Sequence, residues 1–137
     1  AGNPPTPGDG ARYHPNVSAD GWLSSPDNIA FDRRGRIWIA TDGAVYGLSN
    51  GAYASDTEGS GRALTRQFYR TPMGAELCGP EFNSDDTAYF AAVQHPGAGV
   101  GSTFDAPSTR WPDFAPGVPP RPAVQVIVKR DGGIIGA

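Results

Sequence analysis

Several polar side chains in this sequence have the types and positions that metal-assisted chemistry needs. Asp27, Asp42 and Glu76 each stand next to a short apolar run, in the contexts PDN, TDG and GAE. Their carboxylates suit a hard cation such as calcium, which takes about 6 to 8 oxygen ligands, and carboxylates also bind iron. Three more polar residues lie near the same predicted strand ends and are candidates for the rim of such a site or for supporting its ligands. They are Asn28, Gln94 and His95.

Each candidate also has a plainer explanation. Aspartate before asparagine or glycine is common in turns because its side chain bonds the local backbone, and this applies to Asp27 and Asp42. Glu76, in the sequence AEL, has no such turn role, but it is also compatible with a solvated surface position. His95 stands where a strand gives way to a loop, so it could bind metal, donate a proton or cap a polar network. Both interpretations stay open for all four.

Short β-rich runs separated by turn residues must position these side chains. Four runs predict a first meander of strands, at residues 28–32, 36–43, 44–50 and 63–71. Three further runs predict a second group, at residues 79–83, 87–95 and 123–131, with a long Pro/Gly-rich stretch before the last. No segment combines helical periodicity with capping residues, so we expect little helix.

The two strand groups match each other at a constant offset of 51 residues, which pairs Trp38 with Tyr89 and Phe31 with Phe82. A repeat of about 40 to 50 residues made of four short strands is typical of propeller blades. We therefore predict an all-β fold, a partial β-propeller of about two four-stranded antiparallel blades. Trp38 and Tyr89 are expected to pack between the blades rather than to bind a ligand.

Length limits how much of a propeller this chain can form. A closed propeller has typically about 4 to 8 blades, whereas 137 residues hold about two. We predict a flexible lead-in over residues 1–20 and propeller blades over residues 21–137, forming a fragment of a larger protein. Isolated blades expose apolar faces, so the expected partner is the rest of the propeller or a self-associating copy.

Composition argues against several other classes of protein. The formal net charge of −3 provides no basic excess for nucleic acid, and no apolar run approaches the ~20 residues that span a membrane. The single cysteine, Cys78, has no CxxC partner and is best explained as a small buried residue. The first ten residues lack the apolar core of a signal peptide, so we expect any export signal to have been removed.

Longer stretches of the sequence resemble the PhoX-type alkaline phosphatases, a bacterial family also catalogued as a domain of unknown function of the DUF839 type. The resemblance rests on SPDNIAFDRRGRIWIATDG (25–43), TEGSGRALTRQFYRTPMGAELCGPEF (57–82) and VQHPG (93–97). The motifs RWP and RPAVQVIVKRDGGIIG follow in the family's order. Together these stretches extend over about residues 21–136.

This resemblance implies an exported β-propeller enzyme, periplasmic or secreted, that hydrolyses phosphate monoesters with calcium and iron ions held by carboxylates. It covers the carboxy-terminal portion of such enzymes, so residues 21–137 would be their last blades and would be inactive alone. On this basis Asp27 and Glu76 are the predicted metal ligands, Asp42 joins Asn28, Gln94 and His95 at the rim of the site, and Cys78 is given no metal role. Two other functions stay open: a non-catalytic calcium-binding or interaction module, and a lactonase-like propeller hydrolase.

Overall fold

The computed structural model describes residues 14–43 and 50–137, which contain seven β-strands. The strands are β1 (Pro26–Phe31), β2 (Ile37–Thr41), β3 (Gly51–Ser55), β4 (Arg66–Arg70), β5 (Glu76–Phe82), β6 (Ala88–Gln94) and β7 (Ala123–Val128). Helical structure in the described residues amounts to one 3-10 turn at Gly59–Gly61. The prediction of an all-β chain with little helix is confirmed.

Both sheets are antiparallel meanders in which strands that are consecutive in sequence are neighbours in space. The first sheet has the order β1-β2-β3-β4 and the second has the order β5-β6-β7. The described part of the second sheet thus has three strands, not the four of a complete blade. The predicted strand over residues 44–50 falls mostly on residues 44–49, which lie outside the described part, and the third strand of the first sheet begins directly after it.

An aromatic cluster joins the two sheets face to face. The rings of Trp38 and Tyr89 have centroids 5.5 Å apart, and Phe68 and Phe82 each stand edge-on to Trp38 at 5.0 Å. Trp38 and Tyr89 are almost completely buried. The expectation that these two matched residues pack between the sheets is confirmed. Edge-to-face aromatic contacts of this kind stabilise a fold by more than the burial of apolar surface alone provides.

Buried alanines allow the two sheets to approach closely around this aromatic cluster. Ala40 in β2, Ala52 in β3 and Ala91 in β6 belong to the same core and are at most 2% exposed. The sheets therefore form one packed unit, and the strand ends of one sheet lie at fixed positions relative to those of the other.

The turn between β1 and β2 is held by a buried carboxylate. Asp32 accepts hydrogen bonds from the Trp38 indole nitrogen at 2.9 Å and from Arg36 Nε at 2.6 Å. Arg36 in turn donates to the carbonyl oxygens of Ile135 and Gly136, at 3.2 and 2.6 Å. This network fastens the chain after β7 to the end of the sheets that lies opposite Asp42.

The predicted lead-in has no regular secondary structure in its described part. Residues 14–20 form turns, with the Val17 amide donating to the His14 carbonyl at 3.2 Å. Residues 1–13 lie outside the described part, so flexibility of the lead-in stays a prediction. In residues 14–43 and 50–137, no helix has the length and apolar character needed to cross a membrane.

Candidate functional site

Three of the predicted site residues meet where β2 and β6 end and β5 begins. Asp42 directly follows β2, Glu76 is the first residue of β5, and His95 directly follows β6. One ligand atom from each residue takes part in a group whose members all lie within 4.8 Å of one another. The two sheets thus bring together two carboxylates and one imidazole that are separated by up to 53 positions in the chain.

Glu76 and His95 form the closest pair in this cluster. His95 Nε2 lies 3.0 Å from Glu76 Oε2, and His95 Nδ1 lies 3.2 Å from the carbonyl oxygen of Gly74. The Glu76 side chain is 14% exposed and the His95 side chain 51% exposed, so the contact is sheltered on its carboxylate side. Burial disfavours the charged imidazole, but the acceptors at Glu76 and Gly74 outweigh it and raise the pKa of His95.

The backbone around this pair has an unusual conformation. His95 has a φ of +33°, a region that non-glycine residues rarely occupy and that often marks functional sites. Gly74 has a φ of +76°, and a Cβ there would lie only 2.7 Å from the amide nitrogen of Ala98. Glycine at position 74 therefore lets the β4–β5 turn approach the loop after His95 closely enough for the Gly74 carbonyl to reach the imidazole.

A buried polar network lies directly beneath the cluster. The Asn50 side chain donates to the Ala75 carbonyl at 2.9 Å and accepts from the Thr41 hydroxyl at 3.2 Å. Thr71 adds hydrogen bonds to the carbonyl oxygens of Asn50 and Ala75, at 2.9 and 3.2 Å. This network connects the residue before Asp42 to the residue before Glu76. Sequence reasoning missed it, because Asn50 was assigned only to the predicted strand over residues 44–50 and its partner, the Ala75 carbonyl, is 25 residues away.

Asp27 lies apart from the three-residue cluster. It occupies a β-bulge between Pro26 and Asn28 and is exposed. Pro26 pairs with Thr41, so Asp27 is at the same end of the first sheet as Asp42. Asp27 therefore lies at the same end of the sheet as the cluster, as predicted, but outside the group of converging ligand atoms.

Asn28 and Gln94 make contacts that support the surrounding strands. The Asn28 side-chain oxygen accepts a hydrogen bond from the Gly79 amide at 3.0 Å, which links β1 to β5. Gln94 pairs with Glu76 in the β5–β6 register and donates to Cys78 Sγ at 2.7 Å. Cys78 is half-buried and also contacts the Ala92 carbonyl. Gln94 is thus a direct neighbour of the cluster, whereas Asn28 joins the two sheets.

A comparison with protein families decides what this chain is. A family model described as "Alkaline phosphatase PhoX" matches residues 1–97. The chain belongs to the PhoX alkaline phosphatase family. The match to PhoX includes all three residues of the cluster and the strands β1 to β6 that position them. A search of curated proteins found no match.

The chain also resembles a solved PhoX structure. PhoX of Pseudomonas fluorescens, in complex with vanadate as a transition state analogue, is 34% identical to it with a TM-score of 0.68. The alignment covers 82% of this chain and 19% of the PhoX chain, so this chain spans about a fifth of the length of the protein it matches. Both the predicted family and the predicted fold class, a partial β-propeller, are confirmed.

Proposed function

We propose that this chain forms two neighbouring blades of a larger metal-dependent phosphatase that hydrolyses phosphate monoesters. The observation that carries the proposal is the convergence of Asp42, Glu76 and His95 at one end of two packed sheets, within the PhoX-matched part of the chain. Vanadate in the related PhoX structure imitates a transition state, and we extend phosphoryl-transfer chemistry to this chain on that basis.

The cluster has a donor set that fits a metal ion. Two carboxylates and an imidazole suit iron, because imidazole is a good ligand for iron and a poor one for calcium. For calcium we propose oxygen donors alone, from Asp42, Glu76 and the exposed Asp27 at the same end of the first sheet. We assign Asn28 and Gln94 to the rim, where Asn28 links β1 to β5 and Gln94 links β6 to β5.

Hydrolysis of a phosphate monoester forms a bond between a water oxygen and phosphorus and breaks the bond from phosphorus to the ester oxygen, which leaves as an alcohol with a proton. A bound metal ion would supply Lewis acidity at the phosphoryl oxygens. His95 Nε2 and Glu76 Oε2 face each other at 3.0 Å, and these two atoms would hold a metal ion bound at the cluster. The Gly74 carbonyl fixes the other ring nitrogen, so the orientation of His95 is set before substrate binds.

Two apolar surfaces of this chain fit the rest of a propeller. Ile29 and Phe31 in β1 are each 57% exposed, on the sheet face that is turned away from the aromatic cluster. On the second sheet, Val124, Val126 and Val128 are 56–65% exposed. Because both faces of the two-sheet unit are apolar, we propose that neighbouring blades of the same protein cover them. We also propose, from family membership, that the protein is periplasmic or secreted.

Hydrolysis of p-nitrophenyl phosphate by the parent protein, meaning the full polypeptide that carries these residues, tests this function. We expect activity together with bound iron and calcium, and no activity from the 137 residues alone. Glu76→Gln should lower kcat by at least about 100-fold and reduce the metal content, since it removes one ligand charge. Glu81→Gln is the matched control, because Glu81 lies on the same strand and is exposed; it should leave both unchanged.

Other outcomes identify the alternatives. A parent protein that binds calcium but hydrolyses no ester would overturn the phosphatase proposal in favour of a binding module. Turnover of lactones without turnover of phosphate esters would support a lactonase-like hydrolase. If Glu76→Gln and Glu81→Gln lost kcat and metal content equally, the cluster would not be the metal site.

A further inference from the structure

A pocket of about 290 Å³ opens directly beside the candidate site, under the loop that connects β6 to β7. Its volume is just below the range of about 300 to 1,000 Å³ found for small-molecule sites, which suits a small organic group. The walls are mainly apolar and include His95, Pro96, Ala98, Phe104, Pro107 and Pro120. His95 belongs both to this pocket and to the ligand cluster, so the two adjoin at this residue.

The loop that forms the pocket is held by its own hydrogen bonds. Arg110 donates to the carbonyl oxygens of Asp105 and Val118, at 2.7 and 2.9 Å, and so ties two parts of the loop together. The Ser108 amide donates to the Gly97 carbonyl at 3.3 Å. At Gly97, with a φ of +84°, a Cβ would lie 2.8 Å from the carbonyl oxygen of Thr109. The walls are therefore held by hydrogen bonds within the loop, and they meet closely at Gly97.

Phe104 presents a large apolar surface at the mouth of the pocket. It is 77% exposed and lies in a turn fixed by hydrogen bonds between Thr103 and Ala106, at 3.1 and 3.2 Å. Burial of apolar surface is favourable in water, so this ring would favour an apolar group that packs against it. A ligand that enters the pocket would cover both the ring and the proline side chains.

We propose that this pocket binds the organic group of the phosphate monoester and gives the enzyme a preference for apolar alkyl or aryl esters. The inference rests on the proposed function, in which Asp42, Glu76 and His95 would hold a metal ion that binds the phosphate. The ester oxygen links the phosphate to its organic group. Because His95 borders both the cluster and the pocket, a substrate whose phosphate lies at the cluster would have its organic group beside the pocket. Burial of an apolar group against Phe104 and the prolines lowers the free energy of binding. A polyhydroxylated group would instead lose hydrogen bonds to water there.

Two substrates of matched reactivity test the pocket: n-hexyl phosphate and glycerol 3-phosphate, both esters of primary alcohols. In the parent protein, Phe104→Ala should lower kcat/KM for hexyl phosphate about tenfold and for glycerol 3-phosphate less than about twofold. Phe114→Ala is the matched control, since Phe114 is a 68% exposed ring on the same loop but outside the pocket. It should leave both values unchanged.

A second measurement separates failure of the pocket from failure of the phosphatase proposal. Hexylphosphonate, which cannot be hydrolysed, should bind wild type about tenfold more tightly than Phe104→Ala in calorimetry. Phosphonate binding that depends on Phe104, without any ester hydrolysis, would overturn the proposed function and keep the pocket. Ester hydrolysis with equal effects of Phe104→Ala on both substrates, or loss of thermal stability as its main effect, would overturn the pocket and keep the phosphatase.

Discussion

The indole N–H of Trp38 donates a hydrogen bond to Asp32 Oδ2 at 2.9 Å, and this contact joins the aromatic core to the turn between β1 and β2. The Asp32 side chain is completely inaccessible to solvent and also forms a 2.6 Å ion pair with Arg36. Since Arg36 binds carbonyl oxygens of the chain after β7, one carboxylate stabilises both sheets.

Asp32→Asn should destabilise the protein strongly. The amide keeps the shape of the carboxylate but leaves the Arg36 guanidinium without its counter-charge in a largely buried position. Breaking such a pair costs on the order of 3 kcal/mol, measured as a lower free energy of unfolding in urea. Asp113→Asn serves as the control because the Asp113–Arg121 pair is exposed; little change is expected. A similar loss in both variants would contradict the special role of Asp32.

The same carboxylate should make the protein sensitive to acid. Burial disfavours the charged form of Asp32, but hydrogen bonds from Trp38 and Arg36 outweigh it and hold its pKa below the ordinary value. A lowered pKa means that the stabilisation is complete above the unfolded-state pKa of about 3.9 and is lost as the pH falls through the folded-state value.

Urea unfolding measured between pH 2 and 7 tests this dependence. Wild type should lose stability as the pH falls below about 4, and Asp32→Asn should show a shallower decline. Some slope will persist, because hydrogen bonds and nearby cations also lower the pKa of Asp85, Asp113 and Asp131. Parallel curves for the two proteins would show that Asp32 does not contribute to the acid response.

Much of this fold could be predicted from the sequence because short β-rich runs are separated by turn residues. RIWIATDG predicts β2 directly, and the offset between Trp38 and Tyr89 predicts that two similar sheets pack through these rings. The sequence placed a third strand at residues 44–50 and not at Gly51–Ser55, because glycine and alanine have low β-propensity. Gly51–Ser55 forms a strand because it pairs with β2 and β4 and is largely buried between them. The sequence of the segment alone does not reveal these contacts.

The site was harder to predict than the fold, since it depends on contacts between distant segments. The sequence favoured Asp27 over Asp42 as a ligand, whereas the structure groups Asp42 with Glu76 and His95. A bulge at Asp27 changes the register of β1, and local sequence does not signal it. Asn50 was missed for a similar reason: its partner, the Ala75 carbonyl, is 25 residues away.

Tyr89→Phe should leave the protein as stable as wild type or more so. The Tyr89 hydroxyl is buried and has no hydrogen-bond partner among the described residues. Removing it relieves an unsatisfied polar group, a gain of about 1 kcal/mol in the free energy of unfolding. In the matched control Tyr53→Phe, a hydroxyl that accepts from Gln67 at 3.0 Å is removed, and stability should fall. Destabilisation of Tyr89→Phe equal to that of Tyr53→Phe would contradict this reasoning.

Asn50→Ala should weaken metal binding without removing any proposed ligand. The variant leaves the Ala75 carbonyl without its 2.9 Å hydrogen bond and separates the β2 end from the start of β5. Loss of such support for metal ligands typically lowers affinity about 10- to 100-fold. Titration of the metal-free parent protein with Mn²⁺, followed by electron paramagnetic resonance, measures that affinity.

Asn83→Ala provides the control for this effect, because Asn83 also organises a turn through its side chain. It accepts from the Ala88 amide at 2.8 Å and donates to Thr87 at 2.9 Å, at the opposite end of the second sheet. Both variants should lower the free energy of unfolding by about 1–3 kcal/mol, since each removes a hydrogen bond to a backbone group: the Ala75 carbonyl keeps only its contact with Thr71, and the Ala88 amide loses the Asn83 oxygen. Only Asn50→Ala should reduce Mn²⁺ affinity, because only Asn50 connects the strand ends that carry Asp42 and Glu76. Equal Mn²⁺ affinity in the two variants would show that the Asn50 network stabilises the fold without positioning the site.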